Sequence, residues 1–255
     1  MTKGSDKMER DKGIREAQGH ILEILKWIDY ICTKNNITYF IQGGTLLGAV
    51  REKGFIPWDN DGDITMYREA YEKFLKCAKG ELKKKGYFLK WTDRVPKVCL
   101  LEREEIHVDI FFIDPLPKAR WKRKGKRFFM KLLQGMMKKK VDYRSYDLKG
   151  KILVFFSSSM GRLMTTSFKL KLYMSLSAYG RHEHSGMAFF SNDFYQFLSL
   201  EFPDSLFKDV ERIPFEDGTL LAPVHREEYL KMIYGDDYMT PKRENYFVEK
   251  GHAME

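Results

Sequence analysis

Three aspartates at alternate positions, Asp59, Asp61 and Asp63, close a segment that opens on a glycine pair, Gly43-Gly44, and this spacing constrains the chain more than any other feature. Like charges crowded into five residues oppose folding unless a cation or a turn accounts for them. In a strand, alternate side chains share a face, so the three carboxylates would line one side. Hard oxygen donors of this kind suit Mg2+ or Mn2+, which keep several waters and bind substrate phosphates as well. Asp59-Asn60-Asp61-Gly62 is equally good turn chemistry, and taken alone the motif does not decide between the two.

The surroundings add weight to the metal reading. Upstream, the β-prone run Ile37-Thr38-Tyr39-Phe40-Ile41 ends at Gln42-Gly43-Gly44 and is followed by Thr45-Leu46-Leu47-Gly48-Ala49-Val50, a pattern of strand, tight turn and short helix. Glycines there let backbone N–H groups approach a phosphate, and a helix N-terminus favours the anion; the plainer alternative is a simple helix-start turn. Downstream, Ile106 to Asp114 reads as a strand with Val108, Ile110 and Phe112 on one face and His107, Asp109 and Phe111 on the other. An acid inside such a strand is costly unless it is paired or bound to metal. Asp109 is therefore a further carboxylate for a metal-dependent phosphotransfer site, or else a buried acid that caps a neighbouring loop.

These stretches together resemble the LicD family of phosphocholine transferases, relatives of the fukutin proteins within the nucleotidyltransferase superfold. The matching residues are Gly43 to Arg51, then Gly54-Phe55-Ile56-Pro57-Trp58-Asp59-Asn60-Asp61-Gly62-Asp63, then Arg68 to Phe74. Tyr229-Leu230 and Tyr234-Gly235-Asp236-Asp237-Tyr238-Met239 with Pro241 look like the family's closing pattern. The chain departs from the family in three places. Asn60 stands where an aspartate is usual, Gly62 where an aliphatic residue is usual, and Glu52 where a histidine is frequent. Gly62 is the departure that matters, because a glycine in a strand removes a side chain that would anchor it and fix the spacing of its flanking aspartates.

The resemblance implies transfer of a phospho-alcohol, phosphocholine first among them, from a CDP-linked donor such as CDP-choline to a sugar hydroxyl of a cell-surface glycan precursor, with release of CMP. Asp61 and Asp63 match the superfold's metal pair, with Asp59 and Asp109 as additional ligands of Mg2+, or Mn2+ in its place. Asp61, Asp63 and Asp109 are thus the candidate catalytic residues. Gly43, Gly44 and Thr45 would cradle phosphate, and Arg51 would contact it in bidentate fashion or pair with a nearby acid. Trp58, beside the acids, and Trp91 are the aromatic residues to consider for a quaternary ammonium, against the ordinary role of Trp as core filler.

Charge is uneven along the chain. The net charge is +9, and residues 118 to 140 hold eleven Lys or Arg and no acid, so the remainder is near −2. With Trp121, Phe128, Phe129, Met130, Leu132, Leu133, Met136 and Met137 among them, the segment has the composition of a helix lying on an anionic membrane. That suits a lipid-linked sugar acceptor; a nucleic-acid surface is the competing reading, and a solvated helix face the plainer one. The polar start of the chain and the lack of any long apolar run point to a cytoplasmic protein, peripheral on the membrane face. Cys32, Cys77 and Cys99 read as reduced thiols.

At 255 residues with 43% apolar content, the expected organisation is a polar segment over 1–15 and one catalytic domain over 16–255 that includes the basic helical insertion 118–140. The expected fold class is α/β, a mixed α+β sheet in a nucleotidyltransferase-like core flanked by helices. Helices are expected over Arg15–Thr33 and Arg68–Lys85, strands near 37–41, 61–66, 87–91, 97–103 and 106–113, and mainly helix from 116 to 200. His182 and His184 read as an exposed loop ahead of a metal pair. Two other functional classes stand beside the transferase. One is a glycosyltransferase using Asp59-Asn60-Asp61 as a DxD motif, which leaves Gly43-Gly44 and Asp109 unexplained. The other is an inactive membrane-associated scaffold, suggested by Gly62.

Overall fold

A computed structural model describes residues 3–138, 148–183 and 185–241. The chain is the mixed α/β protein expected, and it divides into two compact units, residues 1–112 with 204–255 and residues 113–203.

The first unit is built on a long helix, α1 (Lys3–Lys34). It begins twelve residues before the expected start, because nothing between Lys3 and Arg15 breaks a helix once its C-terminal half is anchored. That anchor is the stripe Ile21, Ile24, Leu25, Ile28 and Ile31, all fully buried. A two-residue strand, β1 (Phe40–Ile41), leads into α2 (Gly43–Arg51), and β2 (Gly62–Tyr67) leads directly into α3 (Arg68–Lys83). Strands β3 (Tyr87–Lys90), β4 (Lys97–Leu100) and β5 (His107–Pro115) complete a sheet in the order β1-β2-β5-β4-β3. The β4–β5 register sets Lys97 opposite Asp109 and Cys99 opposite His107. From the C-terminal part of the chain come a hairpin, β8 (Val210–Phe215) with β9 (Gly218–Pro223), and helix α7 (Arg226–Tyr234). The cysteines are free, and Cys32 and Cys99 are buried.

Gly62 is held tightly. A Cβ there would stand 2.6 Å from Ile21 Cγ2 of α1 and 3.3 Å from Val108 Cγ2 of β5. The volume of a side chain at this position is already occupied by α1, so the glycine leaves no void beside the aspartates.

In the second unit the last residues of β5 pair antiparallel with β6 (Met187–Phe190), which pairs with β7 (Phe202–Pro203). Strand β6 lies in the stretch expected to be mainly helical, and β7 just after it. The α-helices α4 (Arg120–Met137), α5 (Leu148–Gly161) and α6 (Thr166–Ala178) belong to this unit, the last capped by the Thr165 hydroxyl, which accepts from Phe168 N–H. The basic stretch forms α4, with Lys139 and Lys140 outside the described residues. Met130, Leu133 and Met136 of α4 are core residues, packed with Leu116, Tyr173, Phe189 and Leu198. Most of its cations are engaged within the unit. Lys122 pairs with Glu183 and Arg123 with Glu201, Arg127 bonds Glu201, and the buried Lys126 donates to Tyr179 O at 2.8 Å over the Phe189 ring. No helix among the described residues is long and apolar enough to cross a membrane.

Candidate active site

The acidic motif is turn and strand in succession. Pro57 and Trp58 form a turn closed by Asp59 N–H donating to Ile56 O at 2.9 Å, Asp59 to Asp61 have no regular secondary structure, and of the three acids only Asp63 lies within β2. The single strand face expected for all three is therefore replaced by a turn that brings Asp59 against the start of α2. Proline and the dipeptide after it favour the turn, and β2 can begin only where pairing partners are reached.

The glycine pair is the floor on which two of these acids rest. Gly43 has φ +57, and a Cβ on it would lie 2.9 Å from Asp63 Oδ2; a Cβ on Gly44 would lie 2.4 Å from Asp59 Oδ2. Only residues without a side chain admit both carboxylates to the N-terminus of α2, where the helix dipole favours negative charge. Thr45 is buried and its hydroxyl accepts from Asp63 N–H at 2.9 Å, while Gln42 N–H donates to Asp63 O at 3.1 Å. These two bonds fix the start of β2 against the start of α2.

Three residues outside the motif hold it in place. Gln18 of α1 is buried and donates through Nε2 to Ile56 O at 3.0 Å and Asp59 O at 2.7 Å. Glu216, at the tip of the β8–β9 hairpin, accepts from Phe55 N–H at 2.9 Å, and its own N–H donates to Lys53 O at 2.7 Å. Lys97 Nζ donates to Asp109 Oδ1 at 2.6 Å and lies 2.9 Å from His107 Nε2. Sequence reasoning missed all three. Gln18 carried a signal, a polar residue at helical spacing ahead of Ile21 and Leu25, where an apolar side chain would be expected. Lys97 and Glu216 carried none, since their partners are 12 and 161 residues away.

The electrostatics are those of crowded acids. Burial, then the charge and hydrogen bond of Asp61, push the Asp59 carboxyl up to about 8. Asp109 is pushed upward by burial, with Asp61 adding to the rise and Lys97 opposing it. Asp61 is thus the acid whose charge both Asp59 and Asp109 feel. Arg51 is nearly buried and its Nε donates to Glu52 at 2.8 Å, the ion-pair alternative for this residue. Trp58 is half-buried in the turn preceding Asp59. Trp91 packs edge-on against Tyr71 and Phe112, and Phe112 shares the β5 face of Val108 and Ile110, opposite Asp109. His182 sits in an exposed turn and accepts from Arg181 Nε at 3.0 Å; His184 lies outside the described residues.

As donors, four carboxylates in one neighbourhood suit a hard divalent cation, and the raised Asp59 and Asp109 carboxyls are what such a cluster shows when protons or Lys97 must balance its charge. As the side chains stand, no group of three His, Cys, Asp or Glu among the described residues is arranged to hold an ion.

Residues 36–143 match the LicD/FKTN/FKRP nucleotidyltransferase domain. The chain is 47% identical over 62 residues to the lipopolysaccharide cholinephosphotransferase LicD of Haemophilus influenzae, a match over 24% of this chain and 23% of that protein. It is 36% identical over 93 residues to the uncharacterized protein RP689 of Rickettsia prowazekii, over 36% of this chain and 33% of that one. It is 27% identical over 107 residues to the ribitol 5-phosphate transferase FKRP of Mus musculus, over 39% of this chain and 20% of that one. The chain therefore spans only a fifth to a third of the length of these relatives, and residues 36–143, which match the domain, hold the glycine pair, the aspartates and Asp109. With the acids of the motif set on the glycine start of α2 and Asp109 following on β5, residues 36–143 of this chain are similar to the LicD/FKTN/FKRP nucleotidyltransferase domain.

Proposed function

We propose that the chain transfers a phospho-alcohol, phosphocholine foremost, from a CDP-linked donor to a sugar hydroxyl of a glycan precursor, releasing CMP. The observation that carries this reading is the seating of Asp59 and Asp63 on Gly44 and Gly43, with Asp109 electrostatically linked to the same cluster through Asp61, inside a domain of this family. The relatives whose names state an activity are a cholinephosphotransferase and a ribitol 5-phosphate transferase, both of which move a phospho-alcohol.

Asp61 and Asp63, with Asp59 and Asp109, would hold Mg2+ or Mn2+, and the ion when bound would offset the charge that develops on the departing CMP. The chain's own residues have separate tasks. The first turn of α2, from Gly43 to Thr45, offers backbone N–H groups to phosphate oxygens, and Arg51 offers a guanidinium. Asp109, lifted by burial, orients the acceptor hydroxyl and takes its proton as the oxygen bonds to phosphorus and the bond to CMP breaks. Lys97 keeps Asp109 in place before substrate arrives. Trp58, next to the acids, supplies an aromatic face for a quaternary ammonium. The acceptor is a lipid-linked sugar, which places the protein on the cytoplasmic face of a membrane. The packing of Ile21 against Gly62 argues against the inactive-scaffold reading, because the strand carrying Asp63 is not loosened at that residue.

Titration calorimetry with CDP-choline, CDP-ethanolamine, CDP-glycerol and CDP-ribitol, each with and without Mg2+ and beside a UDP-sugar, tests the proposal. Metal-dependent binding of one CDP-alcohol, with turnover abolished in Asp61→Asn, is the expected result. Binding of the UDP-sugar alone would move the chain to the DxD glycosyltransferases, and no nucleotide binding at all would remove the transferase reading.

A further inference from the structure

Helix α5 is inverted relative to a helix of a water-facing protein. Its packed side is Val154, Ser157 and Gly161, and small residues set the contact with α4: a Cβ on Gly135 of α4 would stand 2.3 Å from Ser157 Oγ, and a Cβ on Gly161 would stand 2.2 Å from Met136 O, so the two helix backbones meet at close range. Four large apolar side chains of the helix lie outside that contact. Ile152, Phe155, Phe156 and Met160 are each more than half exposed, and Leu163, just past the helix, is 90% exposed. Phe168 on the first turn of α6 extends the same row of exposed apolar residues along the chain. Small residues at a helix contact with bulky apolar side chains turned outward is the arrangement of helices solvated by lipid, where burying Phe and Met between helices gains nothing over facing acyl chains. At 14 residues, α5 is about 21 Å long and cannot span a bilayer.

The charge around this face has one sign. No Asp or Glu occurs between Leu148 and His182, whereas Lys151, Arg162 and Lys171 are exposed cations in that stretch. We propose that the outer face of α5, continued by Leu163 and Phe168, inserts at the interface of an anionic bilayer, with Lys151, Arg162 and Lys171 at the level of the lipid headgroups. A second copy of the chain suits the face less well. A two-fold contact would set the face against itself, cation rim to cation rim, with no acid in the stretch to pair with it. The proposed contact is that of α5 and α6; α4, the most basic segment of the sequence, packs Met130, Leu133 and Met136 inward and engages most of its cations within its own unit, while its Trp121, Phe128 and Phe129 stay exposed. The inference deepens the peripheral-membrane part of the proposed function, yet vesicle binding needs no donor, so the two stand or fall separately.

The test is co-sedimentation of the full chain with phosphatidylglycerol vesicles and with phosphatidylcholine vesicles, at low and high salt. Binding to the anionic vesicles, weakened by salt and reduced at least about tenfold in Phe155→Ser/Phe156→Ser, is the expected result. A second variant, Lys151→Glu/Arg162→Glu/Lys171→Glu, keeps the apolar face and is expected to lose the preference for anionic over zwitterionic vesicles. Far-ultraviolet circular dichroism confirms that both variants are folded. Equal sedimentation of wild type and the Phe variant overturns the proposal. So does a wild-type dimer in solution that the same two substitutions convert to monomer.

Discussion

A side chain at residue 62 has nowhere to go, because Ile21 and Val108 already meet where its Cβ would stand. Gly62→Val is therefore expected to lose about 1–3 kcal/mol of stability by overpacking, seen as a lowered Tm, even though an aliphatic residue is what the family pattern carries there. A variant that also shortens Ile21, Gly62→Val/Ile21→Ala, should recover part of the loss, since the two changes compete for one volume. At Asp59 the expectation concerns pH. Burial and Asp61 raise its carboxyl from 3.8 to about 8 in the folded chain, so the fold binds that proton more tightly than the unfolded chain does. The stability this proton provides is fully present below about pH 3.8 and is lost as pH rises through about 8. Without divalent metal, the Tm difference between wild type and Asp59→Asn should shift in favour of the variant across that window; a difference independent of pH would mean that Asp59 is not held protonated. The four acids were legible at this scale, because crowded carboxylates and an acid inside an apolar strand are costs visible in sequence alone. Which of them lie in the strand was not, since that depends on the turn at Pro57-Trp58 and on where β2 first finds a partner.

Elements, more than single residues, explain why the site keeps its shape. The β8–β9 hairpin reaches the 53–55 turn through Glu216, which takes the Phe55 N–H and crowds Gly54 so closely that a Cβ there would stand 2.3 Å from Oε1. Glu216→Ala leaves that N–H without its acceptor and should cost about 1–3 kcal/mol, with a larger proportional fall in turnover than a substitution at exposed Glu211 of β8, because the turn it holds leads straight to Asp59. The β4–β5 pairing makes a second such brace, with Lys97 and Asp109 opposite one another and bonded at 2.6 Å. Both side chains are mostly shielded, so Lys97→Met should destabilise by about 1–3 kcal/mol, and Asp109→Asn in the same chain should cost less than the two changes summed; a double-mutant cycle measured by urea unfolding reads the coupling directly. Helix α3 was legible from periodicity because it buries one face, and strands β2 to β5 from short β-prone runs such as Val108 to Ile113. The hairpin, α7 and strands β6 and β7 were not, as β6 and β7 have four and two residues and carry too little pattern to be told from loop. The basic stretch was read correctly as a helix, but its Met130, Leu133 and Met136 face the core while Trp121, Phe128 and Phe129 are exposed, a distinction that composition cannot make.

At the scale of the molecule, the two units separate two kinds of chemistry. Every acid of the candidate site, the glycine pair, Gln18, Lys97 and Glu216 fall within residues 1–112 and 204–255, whereas the exposed apolar face of α5 and its cations fall within 113–203. Each unit also has its own buried polar anchors. In the second, Asp114 accepts from Ser191 Oγ at 2.6 Å, and Gln134 bonds both Tyr173 Oη at 2.9 Å and Asp193 O at 2.8 Å. Ligands of the two kinds should therefore protect different amides. Hydrogen exchange followed by mass spectrometry is expected to show slowed exchange over residues 42–63 and 97–109 when CDP-choline and Mg2+ are added, with residues 148–172 unchanged. Anionic vesicles without nucleotide are expected to slow exchange over 148–172 and leave 42–63 unchanged. Local opening governs exchange, so protection follows the segment a ligand touches unless the two segments open together. Protection of both segments by either ligand alone would show that donor binding and membrane contact are coupled, and the coupling could then be measured as the change in donor affinity caused by vesicles, which must equal the change in vesicle affinity caused by donor.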